Sequence, residues 1–88
     1  MSESLKAMQR QTQAVEIARR FRAAENLEEK VRTEQRQILM SEIRDTCDPL
    51  DDPSPAVALA VQVERHLAVM HGSYYALRWE QMWLETQS

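Results

Sequence analysis

Apolar residues recur three and four positions apart on both sides of one short segment rich in proline and aspartate. This spacing is typical of amphipathic helices, and the helix formers Ala, Glu, Gln, Arg, Leu and Met dominate both parts. The pattern predicts one helix over about residues 4–46, a turn over 47–54 and a second helix over about 55–86. The predicted fold class is therefore all-α, a two-helix antiparallel hairpin of coiled-coil type, with residues 1–88 forming a single helical-hairpin domain.

The second helix carries the more regular pattern. Its apolar positions alternate four and three residues apart, as in a coiled-coil seam, with one polar position. The seam consists of Ala56, Ala60, Val63, Leu67, Met70, Tyr74, Leu77, Gln81 and Leu84. Gly72, the only glycine, lies off this seam and predicts a kink or a split of the second helix near residue 72.

The turn has clear local signals. Asp48 precedes Pro49, and a residue before proline disfavours the α region, so the first helix is expected to end there. Ser54 suits the N-cap position, and Pro55 suits the first helical position, where its missing N–H is not needed.

Two sets of apolar residues lack a partner in a simple hairpin. The first helix would be about 65 Å long and the second about 48 Å, at 1.5 Å per residue, so the first turns extend beyond the shorter arm. The unpartnered residues there are Leu5, Met8 and Val15, and a second stripe beside the seam consists of Tyr75, Trp79, Met82 and Trp83. These seven residues are the candidate partner-binding sites, and they predict a homodimer or hetero-complex in which two hairpins complete a four-helix bundle.

The aromatic residues leave two interpretations open. Four of the five aromatic side chains fall between residues 74 and 83. They either form a core plug, with Trp79 packing on Phe21 and Ala24, or anchor a partner, because Trp and Tyr are enriched at binding hot spots.

Charge is unevenly distributed along the chain. Residues 1–24 have a net charge of +3, whereas the whole chain has −3. Arg19, Arg20 and Arg22 form a basic run that would contact phosphates in an alternative function as a regulator linked to nucleic acid or transcription. The acidic total does not favour a nucleic-acid partner, because such domains usually have a high pI.

No catalytic signature is present, so an enzyme is not expected, and no cofactor or metal site is predicted. His66 and His71 are five residues apart, which places them about 140° apart around an α-helix. Cys47 is the only cysteine, which favours a reducing compartment. The start lacks an apolar signal region, and the longest apolar stretch, residues 56–63, is too short to span a bilayer, so the expectation is a cytoplasmic protein without membrane contact.

The acidic turn carries a resemblance. Asp48-Pro49-Leu50-Asp51 resembles the acidic coiled-coil tip of transcription factors that enter the secondary channel of RNA polymerase, which implies recognition through Asp48, Asp51 and Asp52. The zinc-finger cysteines of one such family are missing, and Pro53 replaces its small tip residue.

A second resemblance concerns the type III secretion system. The segment from Asp52 to Ala60 is similar to the Pro-containing turn and the start of the second helix of its needle subunits and small needle co-chaperones. The predicted first helix is longer than the first helix in those families. The main hypothesis is a non-enzymatic protein-interaction module, an adaptor, small chaperone or inhibitor from a bacterium, phage or mobile element, that buries a helix face against another protein.

Overall fold

The computed structural model describes residues 2–46 and 54–87, and every element in these two ranges is helical. α1 spans Ser2–Glu25, α2 spans Glu29–Arg44, α3 spans Ser54–His66 and α4 spans Ser73–Gln87. A π-helical turn, Leu67–His71, joins α3 to α4. The all-α prediction is confirmed. The predicted count of two helices is wrong, because the described residues of one chain form four helices and the predicted first helix is divided into α1 and α2.

The predicted first helix is broken between residues 25 and 29. Asn26 N–H and Leu27 N–H donate to the carbonyl oxygens of Ala23 and Ala24, three residues back, which closes the last turn of α1. Glu28 then adopts φ −53° and ψ 147°, an extended conformation that redirects the chain into α2. The ion pairs Arg20–Glu42 and Arg36–Glu25 join the two helices in opposite chain order, so α1 and α2 are antiparallel.

The break has a packing reason, since neither glycine nor proline occurs there. Phe21 and Ala24 near the end of α1, and Leu39 and Ile43 near the end of α2, are all almost completely buried. A continuous helix would keep Phe21 and Leu39 on one face but about 27 Å apart along its axis, too far to pack on each other. Folding at residues 26–28 allows both groups to enter one core.

The predicted break near Gly72 is present. Gly72 N–H donates to the carbonyl oxygen of Leu67 over 2.7 Å, an i→i+5 bond that closes the π-helical turn. Gly72 has φ 111° and ψ 155°, a conformation open essentially only to glycine. The turn changes the number of residues per turn, so α4 presents a different face to the core from the one that an uninterrupted helix would present.

The core lies between the four helices. Its largest fully buried side chains are those of Trp79, Phe21, Ile17, Leu39, Ile43, Leu59, Leu67 and Val63. Of the predicted seam positions, Ala56, Ala60, Val63 and Leu67 are buried. Met70, within the π-helical turn, and the seam positions beyond the turn are exposed.

The outer dimensions agree with the shorter helices. The longest extent is 41 Å, well below the 65 Å expected of a continuous first helix. Thr86 contacts Met40 on α2 rather than Glu16, which the two-helix hairpin would place opposite it. Residues 47–53 of the turn predicted over 47–54 lie outside the described residues, and Ser54 is the first residue of α3. Within the described part no helix has the length and apolarity needed to cross a membrane.

Candidate protein-interaction surface

Trp79 occupies the centre of the core. Its side chain is 1% exposed, its ring meets that of Phe21 edge to face at 5.1 Å, and its indole N–H donates to the Ala60 carbonyl oxygen. The interpretation that Trp79 packs on Phe21 is therefore confirmed. Met82 is also buried, at 5% exposure. Neither side chain is accessible to a partner in this fold.

The other two members of the aromatic stripe lie at the edge of the core. Tyr75 and Trp83 are partly buried and pack against it. Arg22 lies 5.5 Å from the centre of the Tyr75 ring, and Tyr74 meets the same ring edge to face at 5.4 Å. These contacts use Tyr75 mainly to join α1 to α4.

The opposite face of α4 is apolar and exposed. Tyr74, Leu77, Gln81 and Leu84 follow a 3-4-3 spacing, which places them within an arc of about 80° around the helix. We call these four residues the outer stripe. Tyr74, Leu77 and Leu84 are 64%, 55% and 59% exposed. This spacing is visible in the sequence, but it was assigned to the buried seam. The assignment was wrong because the π-helical turn rotates α4.

α1 carries a stripe with the same spacing. Leu5, Met8, Thr12 and Val15 are again separated by three, four and three residues, and we call them the α1 stripe. Leu5 and Met8 are 58% and 66% exposed, and Val15 is 39% exposed. They lie on the side of α1 that faces away from the core residues Ile17, Phe21 and Ala24. The expectation that this end of the chain lacks a partner in cis fits these exposures.

The arginine run does not form one basic face. Arg19 donates to the Glu16 carboxylate at 2.7 Å, and Arg20 pairs with Glu42 of α2 at 2.7 Å. Arg22 instead lies over the Tyr75 ring. The three side chains thus point to three different neighbours, and two of them already contact carboxylates.

A buried carboxylate anchors α4 to the α1–α2 pair. The Glu25 side chain is 4% exposed, and Arg36 of α2 donates to it through Nε at 2.8 Å. Arg78 of α4 lies 3.7 Å from the same carboxylate. Because Arg78 adjoins Leu77 in the chain, this network also fixes the direction in which the outer stripe faces.

Acidic side chains concentrate beside the outer stripe. Burial, the neighbouring charge of Glu80 and a hydrogen bond with Glu80 raise the pKa of Glu64, against a smaller opposing effect of Arg65. Glu80 flanks the outer stripe on one side and Glu85 on the other, by their positions around the helix. The surface around the stripe is therefore negatively charged.

The two histidines are closer than their separation in sequence suggests. The ring centres of His66 and His71 lie 5.6 Å apart. The sequence argument against a pair assumed α-helical geometry, whereas the intervening residues form the π-helical turn. No group of three or more His, Cys, Asp or Glu side chains suited to a metal ion occurs within residues 2–46 and 54–87.

The candidate tip residues Asp48, Asp51 and Asp52 lie outside the described residues.

Comparison with known proteins finds no matching protein family, no similar curated protein and no similar solved structure. The residues themselves therefore carry the functional inference.

Proposed function

We propose that this protein is a non-enzymatic interaction module that binds an amphipathic helix along the outer stripe of α4. The observation that supports the proposal is the exposed 3-4-3 spacing of Tyr74, Leu77, Gln81 and Leu84 on the face opposite the buried Trp79. Such a row supplies the knobs of a coiled-coil interface. An adaptor, a small chaperone and an inhibitor would all work by burying this face.

The occupant is α1 of a second copy of the chain. The α1 stripe has the same 3-4-3 spacing as the outer stripe and also a polar residue in third place. In parallel alignment, Thr12 falls opposite Gln81 and Val15 opposite Leu84. A polar layer of this kind sets the register of a coiled coil.

Charge favours this pairing over one between two α4 helices. Two copies of α4 would bring Glu80 and Glu85 of one near those of the other, and like charges at flanking positions destabilise an interface. α1, in contrast, has five basic and three acidic side chains. In the parallel alignment, Glu16 falls level with Glu85 of the partner, and Arg19, which pairs with Glu16, lies almost one turn further along α1.

The alternatives receive less support. A nucleic-acid face is disfavoured because Arg19 and Arg20 are paired with Glu16 and Glu42. The two-helix needle-type hairpin of type III secretion differs from the four helices described here. The acidic tip that resembles the RNA polymerase-binding factors lies outside the described residues, so nothing in the fold favours it.

The test is the mass of the chain in solution, measured by light scattering over a range of concentrations. We expect twice the monomer mass at tens of micromolar for the parent chain. Leu77→Glu and Met8→Glu should each shift the protein to monomer without loss of helicity, since both place a charge in the same interface. Val57→Glu, a control at an exposed position on α3, should leave the dimer intact.

The possible results distinguish between the partners that could cover the outer stripe. A monomeric parent at 100 μM would overturn self-association, and binding of a different protein's helix would then be the remaining use of the stripe. If Leu77→Glu is monomeric while Met8→Glu remains dimeric, the partner surface is not α1.

A further inference from the structure

The π-helical turn brings the two histidines of the chain together. His66 is the last residue of α3 and His71 is the last residue of the turn. Their ring centres are 5.6 Å apart, with an angle of 65° between the ring planes. In an α-helix the same residues would point about 140° apart. The i→i+5 hydrogen bonding of the turn instead places residues five apart near each other.

The separation suits two ligands of one metal ion. Metal–nitrogen bonds of about 2.0–2.1 Å to two imidazoles put the ring centres about 5 Å apart at tetrahedral or square-planar angles. The observed separation of 5.6 Å between the ring centres is close to this value. Both side chains are only partly buried, so an ion and its water ligands can reach them.

Only the neutral imidazole coordinates a metal ion. The positive charge of Arg22 acts against a bound cation, although this guanidinium is held over the Tyr75 ring.

We propose that His66 and His71 together chelate a divalent transition-metal ion, with Cu²⁺ preferred over Zn²⁺ and water in the remaining positions. Two nitrogen ligands with open positions fit the square-planar preference of Cu²⁺, and its affinity for such ligands exceeds that of Zn²⁺. Zn²⁺ usually takes three or more protein ligands, and the described residues supply no third His, Cys, Asp or Glu. Neither stripe supplies a ligand, although His66 lines the same groove as Val15 of the α1 stripe.

The experiment is a Cu²⁺ titration of the full chain carrying Cys47→Ser, in which calorimetry measures the heat of binding. This substitution removes the only thiol, which otherwise binds and reduces the ion. We expect His66→Gln and His71→Gln each to weaken Cu²⁺ binding at least tenfold, and the double variant to bind little more weakly than either. Gln11→Ala, a control beside His66 in the same groove, should bind like the parent.

A second measurement uses the Cys47→Ser chain with both histidines in place. Pulsed electron paramagnetic resonance of the Cu²⁺ complex should detect two coordinated imidazole nitrogens per ion. A signal from one imidazole, or parent-like affinity in either single histidine variant, would overturn the chelate. Circular dichroism of each variant shows whether the fold is retained, and the resonance measurement decides the question if a variant does not fold.

Discussion

The indole N–H of Trp79 donates to the carbonyl oxygen of Ala60 over 3.0 Å, which ties α4 to α3 inside the core. The same ring meets Phe21 of α1, so one side chain joins three helices. Because Trp79 is buried and hydrogen-bonded, it keeps its face of α4 in the core, and the outer stripe on the opposite face is directed outward. The orientation of the proposed interaction surface therefore depends on this residue.

Removing the Trp79 side chain should destabilise the whole fold. We expect Trp79→Ala to lower the free energy of unfolding by about 3–5 kcal/mol, because a large cavity would remain at the junction of three helices. The measurement is urea unfolding followed by circular dichroism. Val57→Ala, at an exposed position, should change stability by less than about 0.5 kcal/mol. Equal losses in the two variants would contradict the central role of Trp79.

The Glu25 carboxylate should contribute more to the free energy of unfolding than the more exposed Arg20–Glu42 ion pair, which joins the same two helices. Glu25→Gln leaves Arg36 and Arg78 facing an uncharged group and should cost about 2 kcal/mol, the usual value for hydrogen bonds to a charged group. Glu42→Gln, at the partly exposed Arg20 pair, should cost less than about 1 kcal/mol. Unfolding of the two variants under identical conditions tests this order, and the reverse order would refute it.

The contact between Glu64 and Glu80 should make stability depend on pH. The raised pKa of Glu64 means that the folded state binds this proton more tightly than the unfolded state. Stability from this group is thus fully present below its ordinary pKa and is lost as pH rises through the raised value. Glu80→Gln should therefore stabilise the protein at pH 7, and this gain should disappear near pH 4.

The measurement is urea unfolding at several pH values with a metal chelator present. The lowered pKa of His71 acts in the opposite direction, since its protonation in acid disfavours the fold. Comparing Glu80→Gln with the parent at each pH removes that contribution. A gain that stays constant from pH 7 to pH 4 would mean that the two carboxyl groups do not interact.

The effect of replacing Gly72 should depend on the handedness of the new residue rather than on its size. A β-carbon at this position would meet nothing within 4 Å, so a substitution there costs backbone strain and not a clash. We expect Gly72→Ala to lower stability by about 1–3 kcal/mol, because φ 111° is rarely open to L-residues. Chemical synthesis with D-alanine at position 72 provides the matched control, since a D-residue accepts positive φ. Equal losses for L- and D-alanine would contradict this explanation.

Several features could be predicted from the sequence because they depend on local chemistry. The helix formers set the all-α class, the glycine marked the break near residue 72, and α3 begins within a residue of the predicted position. The buried positions Ala56, Ala60, Val63 and Leu67 followed from their spacing, since α3 keeps regular α-helical geometry throughout. The contact between Phe21 and Trp79 was one of two interpretations that the pattern left open.

Other features were decided only by tertiary packing. The break at residues 26–28 has no glycine or proline, and it forms because it allows Phe21 and Ile43 to enter the same core. Sequence periodicity identifies a helix face only while the number of residues per turn stays constant. The π-helical turn changes that number, so with it Trp79 points inward, Leu77 points outward and His66 meets His71.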